Sequence, residues 1–409
     1  MAAPRSRFIF QALLTVSIAV TGFLPAAKAG DDTWKTLSEK AQGQTVYFHA
    51  WGGEPRINAY IDWAADAVQS RYGITVEHVK IAETGNVVTQ IIAEKSAARE
   101  TGGSVDLVWI NGENFATLKS QNLLAPKGWA QTLPNWKYVD VEGKPTVISD
   151  FTVPTDGQES PWGMAQLVFI HDSARLPEPP KTLEALKAYA ASNPGRISYP
   201  QPPNFHGSTF LKQALAQLID DPLKLEHPVV EARFEADVAP LFAYLDALHP
   251  NMWRKAQAFP QNAAQMRQLV ADGELDIAIT FNPGDASSAI ANGELPESAR
   301  TFVFDGGTIG NTHFVAIPFN SSAKEGAMVF ANFLLSPEAQ ARKQDPAVWG
   351  DPTVLDTNAL NGPDQALFDH IDLGPATLAP AELGVTLPEP HPSWVAALEK
   401  AWAARYGGS

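Results

Sequence analysis

Apolar positions along this chain follow two alternating rhythms. Residues 45–50 (TVYFHA) form a short, densely apolar run that reads as a strand. After the loop HAWGGE (49–54), Ile57, Tyr60, Ile61, Ala64 and Val68 recur at helical spacing. Pro55 suits the first position of that helix, where a missing N–H goes unnoticed. A second strand, 74–80 (ITVEHVK), leads through ETGN (83–86) into an apolar-periodic helix that Asn86 can cap. A third, 105–110 (VDLVWI), is nearly all apolar, as in a parallel strand covered on both faces, and leads through NGEN (111–114) into another helix. Three strand–loop–helix units in a row predict an α/β fold with a mostly parallel sheet.

The pattern then changes. Residues 125–161 are rich in Pro, Gly, Asp and Thr and predict a long surface excursion with little regular structure. A strand restarts within 161–172, and a proline-stiffened link leads to a helix capped by Thr182 and closed near Gly195. Residues 196–200 (RISYP) read as a strand feeding the helix at 209–219, and a helix–Gly–strand unit follows at 266–281. Another strand covers 311–319, with helices near 323–335, 337–344 and 392–405. The middle of the chain repeats the architecture of the first part without repeating its sequence.

Composition trims the choices. Residues 1–29 carry Arg5 and Arg7, an apolar run and a small-x-small ending at Ala27 and Ala29, the pattern of a leader cleaved at about Ala29–Gly30. No cysteine follows the junction to take a lipid, so a soluble exported protein in the periplasm is the expectation. The whole chain lacks cysteine, which excludes thiol catalysis and cysteine-ligated zinc. The remaining 380 residues suffice for two domains with separate cores. The net charge of −15 becomes −18 once the three basic residues of the leader are removed, and no basic run suggests nucleic acid.

The loops after the strands concentrate the candidate chemistry, because ligands of open α/β sheets sit beyond the carboxyl ends of the strands. Gly52 and Gly53 allow close backbone approach and positive φ, and Trp51 offers a flat face to a ring or cation; the alternative is a tight turn with a packed Trp. Gly85 and Asn86, then Asn111, Glu113 and Asn114, supply amides, backbone donors and one acid, or simply cap helices. In the middle region, Tyr199, Phe205 and Ser208 surround a helix start able to hold an anion or polar oxygen, unless the prolines there only stiffen a loop. Phe281 and Asn282 end a strand, and Trp162 stands where it can touch a solute from below or pack beneath the sheet.

Three stretches, LPEPPKTLEAL, VADGELDIAITFNPG and AMVFANFLLSPEAQARKQ, resemble in order those of type II extracellular solute-binding proteins of bacterial ABC importers. HAWGG, DLVWINGENF and FNPGDASSAI further resemble the YnjB-type subfamily. The resemblance implies a periplasmic-binding-protein-like fold: two lobes, each a mostly parallel sheet flanked by helices, joined by hinge strands with solute between them. Residues 30–162 and 309–345 would build lobe one, 163–308 lobe two, and 346–409 a C-terminal region mainly on lobe two. It also implies a monomer without cofactor, working with a membrane permease and an ATPase. A secreted hydrolase is the rival, but neither G-x-S-x-G nor H-E-x-x-H is present. Iron binding of the same fold uses adjacent tyrosines, and none of the eight tyrosines here is adjacent to another. A sugar, a polyamine or a thiamine-like cation remain as solutes.

Overall fold

The computed structural model describes residues 1, 26–379 and 382–407. The leader expected at 1–29 lies, apart from Met1 and 26–29, outside the described residues. Among the described residues eleven strands occur in chain order: β1 (Thr45–Trp51), β2 (Thr75–Ile81), β3 (Leu107–Ile110), β4 (Ser149–Asp150), β5 (Val153–Pro154), β6 (Glu159–Gln166), β7 (Val168–Asp172), β8 (Ile277–Thr280), β9 (Ala299–Phe302), β10 (Thr308–Ala316) and β11 (Thr386–Leu387). The first sheet has the order β11-β10-β3-β1-β2, with β6 on the other edge of β10; the second is β8-β7-β9.

The strand–loop–helix reading of the first part holds. β1 pairs in parallel with both β2 and β3. Helix Pro55–Tyr72 starts at Pro55 and stops at Gly73, whose φ of 66° only glycine adopts readily. Its buried face is Ile57, Tyr60, Ile61, Ala64 and Val68, the positions read from periodicity.

The expectation of a mostly parallel sheet in each lobe needs correcting. β10 runs antiparallel to both β3 and β6, and the second sheet is antiparallel throughout. The reason is the way the chain changes lobes. The run predicted as one strand over 161–172 is two, β6 and β7, with Leu167 at the switch and its N–H donating to Ile309 O at 2.8 Å. β9 and β10 return beside them, and a returning strand must run the opposite way. Residues 196–200 form no strand; Ile197 and Tyr199 are simply buried in the second core.

One large core lies in the second lobe and another under the first sheet, with a smaller cluster on that sheet's opposite face. The C-terminal stretch is divided between them. Trp349, Val354, Leu355 and Leu360 join the first lobe, whereas Ala376, Trp394, Leu398 and Trp402 join the second.

Glu159 is a liability inside the first sheet. It is fully buried, neither carboxylate oxygen has a partner, and burial, with Asp150 nearby, pushes its carboxyl well above the usual range. The folded state therefore holds this proton more tightly than the unfolded state. Its contribution to stability is present below the unfolded value of about 4.3 and is lost as pH rises from there towards the folded pKa. Glu159→Gln should flatten the fall of melting temperature between acidic and neutral pH. Parallel curves for the two proteins would contradict this.

Candidate functional site

The strand-end loops of both lobes come together. Gly52 lies so close to Lys80 that a Cβ would stand 2.6 Å from Lys80 Cβ, and the Trp51 indole covers Gly53 at a notional 2.4 Å. Neither glycine has positive φ; close approach is the reason for both. Trp51 is thereby held half-buried at the end of β1.

Helix Thr84–Ser96 begins one turn earlier than expected, so Asn86 lies within it and caps nothing, and Gly85 and Asn86 are exposed. Asn114 likewise falls inside helix Glu113–Ser120. Gly112 does the turning there, with φ of 61°, its face against the Phe151 ring and its N–H donating to Asp150 Oδ2 at 2.8 Å. Asn111 is half-buried, and Asn114 Nδ2 donates to Glu113 Oε1 at 3.3 Å. A Cβ on Gly85 would stand 3.7 Å from Asn114 Oδ1, so these two loops are neighbours.

From the second lobe, helix Phe205–Leu218 points its start at the same region, capped by Asn204. At this helix start Asn204 Oδ1 accepts from His206 N at 3.0 Å, and Ser208 Oγ donates to Glu399 Oε1 at 2.6 Å. Phe205 is half-buried, with Phe281 edge-on at 5.3 Å.

Three expected site residues lie elsewhere. Trp162 is fully enclosed by Phe48, Tyr60, Trp109 and Trp349, because its side of β6 faces the first core. Tyr199 is stacked on Phe210, and its hydroxyl meets His249 and the Trp402 indole N–H. Phe281 is 5 % exposed and packs in the second core. Asn282 links the lobes, with Nδ2 donating to Trp349 O at 3.0 Å and Oδ1 accepting from Gly284 N.

Several residues at the cleft carried no sequence signal of their own. At one end an ion network crosses between lobes. Arg56 Nη2 reaches Asp285 Oδ1 at 3.1 Å and its Nη1 donates to Ser288 Oγ, while Arg267 contacts both Asp285, at 2.8 Å, and Glu54, at 3.4 Å. At the other end Lys212, buried, donates to Glu389 Oε2 at 2.6 Å and stands over the Phe151 and Phe205 rings at 4.6 and 5.5 Å. Asn311 Nδ2 donates to the other oxygen of Glu389 at 2.9 Å. Glu113, Asp150 and Glu399 feel the Lys212 charge and Glu83 feels Glu399, and each of the four is held above the usual carboxylate range chiefly by the surrounding protein. Glu83 and Glu113 are nonetheless reached by solvent. A cavity of about 570 Å³, lined by Lys181, Gln217, Leu387 and Glu389 among others, contains none of the expected site residues.

Comparisons with known proteins follow the geometry. The family model described as bacterial extracellular solute-binding protein matches residues 63–362. Protein YnjB of Escherichia coli (strain K12) is 48 % identical over 386 residues, covering 94 % of this chain and 96 % of that one. The periplasmic binding protein AfuA from Actinobacillus pleuropneumoniae, solved with fructose-6-phosphate, superposes with a TM-score of 0.61 at 17 % identity, over 90 % of this chain and 99 % of that one. The spermidine/putrescine substrate-binding protein PotD from Streptococcus pneumoniae gives 0.58 at 16 % identity, over 88 % and 99 %.

Proposed function

The chain belongs to the bacterial extracellular solute-binding protein family, and from that premise we propose that it captures its solute in the periplasm between the strand-end loops described above. It is the solute-binding component of an ABC import system, which works with a membrane permease and its ATPase. None of the helices of the described residues is long and apolar enough to cross a membrane. The fold neighbours carry solutes as different as a phosphosugar and polyamines, so the fold leaves the solute class open.

The observation that carries the reading is the contact of cleft-facing loops from both lobes, above all Arg56 of one with Asp285 and Ser288 of the other. Such contacts exist only when the lobes are closed, so they belong to the closed member of a hinge equilibrium. The moving bodies in this reading are 30–166 with 310–369, and 168–309 with 376–379 and 382–407, divided at the two strand switches near Leu167 and Ile309. Trp51, Gly52, Gly53, Gly85, Asn86, Asn111, Glu113, Asn114, Phe205, Ser208 and Asn282 border the closing surfaces. The protein does no covalent chemistry in this reading.

Native mass spectrometry of protein taken from the periplasm should find a small molecule held non-covalently. Repeated conversion of a small molecule by pure protein would instead establish an enzyme. Arg56→Ala removes two cross-lobe contacts, so the ligand-free variant should have a larger radius of gyration in small-angle scattering than the wild type. At about 1.4 kcal/mol per factor of ten, the loss should weaken solute binding by roughly one power of ten, because the closed form is less populated. Unchanged scattering and unchanged affinity would remove Arg56 from the closing device.

A further inference from the structure

We propose that His313, on a strand that crosses between the lobes, contacts the solute at the floor of the cleft and selects for a hydrogen-bond donor on it, a hydroxyl or an N–H group. The proposal rests on the solute-binding reading above and adds a recognition group to it.

The first argument is exposure. Strands β6 and β10 join the lobes, and every residue of the two is buried except Met164 and His313. These two are neighbours, since Met164 pairs with Thr312 and Gly163 with His313. Solvent therefore reaches the crossing strands at one place, and that place lies between the strand ends of both lobes. Trp109, one residue before the end of β3, is half-buried and meets the His313 ring edge-on at 5.4 Å. Trp349 lies parallel to the imidazole at 6.4 Å. Its carbonyl accepts from Asn282 Nδ2, which stands just beyond the end of β8 in the second lobe.

The second argument is the way the ring is held. His313 Nε2 lies 2.9 Å from Asp351 Oδ1, and the other oxygen of Asp351 accepts from Lys343 Nζ. The Lys343 and Asp351 side chains are at most 1 % exposed. Paired in this way the carboxylate only accepts, so the Nε2 proton lies in the bond to Asp351 and the lone pair of the neutral ring stands on Nδ1. Among the described residues Nδ1 has no hydrogen-bond partner, and the His313 side chain is 14 % exposed. Gly163 makes room for the arrangement: a Cβ there would stand 2.1 Å from Asp351 Oδ2 and 2.7 Å from Lys343 Nζ. A buried ion pair adds little net stability. Here it fixes the rotation and the tautomer of a ring whose free nitrogen is an acceptor. When the lobes close and water leaves, that acceptor keeps a partner only if the solute brings a donor.

The probe for the test is the small-molecule fraction released by denaturing wild-type protein purified from the periplasm. Accurate mass and fragmentation identify the carried molecule. Native mass spectrometry then follows its return to stripped and refolded wild type, His313→Gln and His313→Phe. Gln keeps an amide N–H where Nε2 donates to Asp351, but it has no acceptor at the place of Nδ1. Both variants should bind about five- to tenfold more weakly. Only His313→Phe should also lower the melting temperature, since it alone leaves Asp351 Oδ1 without its donor. A merely structural His313 predicts that Gln restores binding and stability together. Wild-type affinity in His313→Gln would therefore overturn the proposal and leave solute binding standing. So would a melting temperature that falls together with binding in that variant, or a carried molecule with neither O–H nor N–H. Fragmentation tells a hydroxyl donor from an amine. Protein that carries no small molecule would count against the solute-binding reading itself, and the proposal would fall with it.

Discussion

Trp162→Ala is expected to lower the free energy of unfolding by about 3–5 kcal/mol, the range for deleting a buried aromatic side chain. The Trp162 ring has no exposed surface and lies among four other aromatic rings, three of them edge-on and one tilted, at centroid distances of 4.9 to 6.4 Å. Its carbonyl also accepts from Gln340 Nε2 at 2.7 Å, which ties β6 to the helix Pro337–Gln344. Removal leaves a cavity next to the lobe switch, so both stability and closure should suffer. Trp51→Ala is the control: a half-buried ring contributes about half the burial energy, roughly 1–2 kcal/mol. Chemical denaturation of both variants checks the pair. Equal losses would mean that Trp51 is as much a core residue as Trp162.

Lys212→Met should destabilise the protein by about 3–5 kcal/mol, because it strands a buried carboxylate. Lys212 and Glu389 have side chains that are each 2 % exposed, and their 2.6 Å contact joins helix Phe205–Leu218 to the chain just after β11. Without the ammonium, Glu389 keeps, among the described residues, only the Asn311 amide as donor. Adding Glu389→Gln to Lys212→Met should recover a large part of the loss, since the buried charge disappears with its partner. Denaturation midpoints of the two single variants and the double variant give the coupling directly. Additive losses would mean that the two groups act separately.

The loops bearing these groups were partly readable from the chain. Trp51, Glu113 and Asn282 lie at or just after the ends of strands whose apolar runs are unmistakable, so their positions in the fold follow from the chain. Trp162 and Tyr199 were misread for a shared reason. Each borders a loop or switch in sequence, yet which face of a strand or segment turns inward depends on what packs over it. Asp150 and Glu399 had no local signal at all. One sits in the irregular stretch before β6, the other on the last helix, and each feels the Lys212 charge only because distant segments fold into one space.

The sequence by itself determined the local elements and the class of fold. Helix Pro55–Tyr72 is written in its proline, its apolar spacing and its closing glycine, all interactions within one turn or one face. Tertiary structure decided the rest. Strand direction in the second sheet follows from where the chain crosses between lobes, which periodicity does not encode. The meeting of Arg56 with Asp285, and of Lys212 with Glu389, is a property of segments far apart in the chain brought face to face. Charge carries no directional pattern along a chain, so its gathering becomes visible only when distant segments share one space.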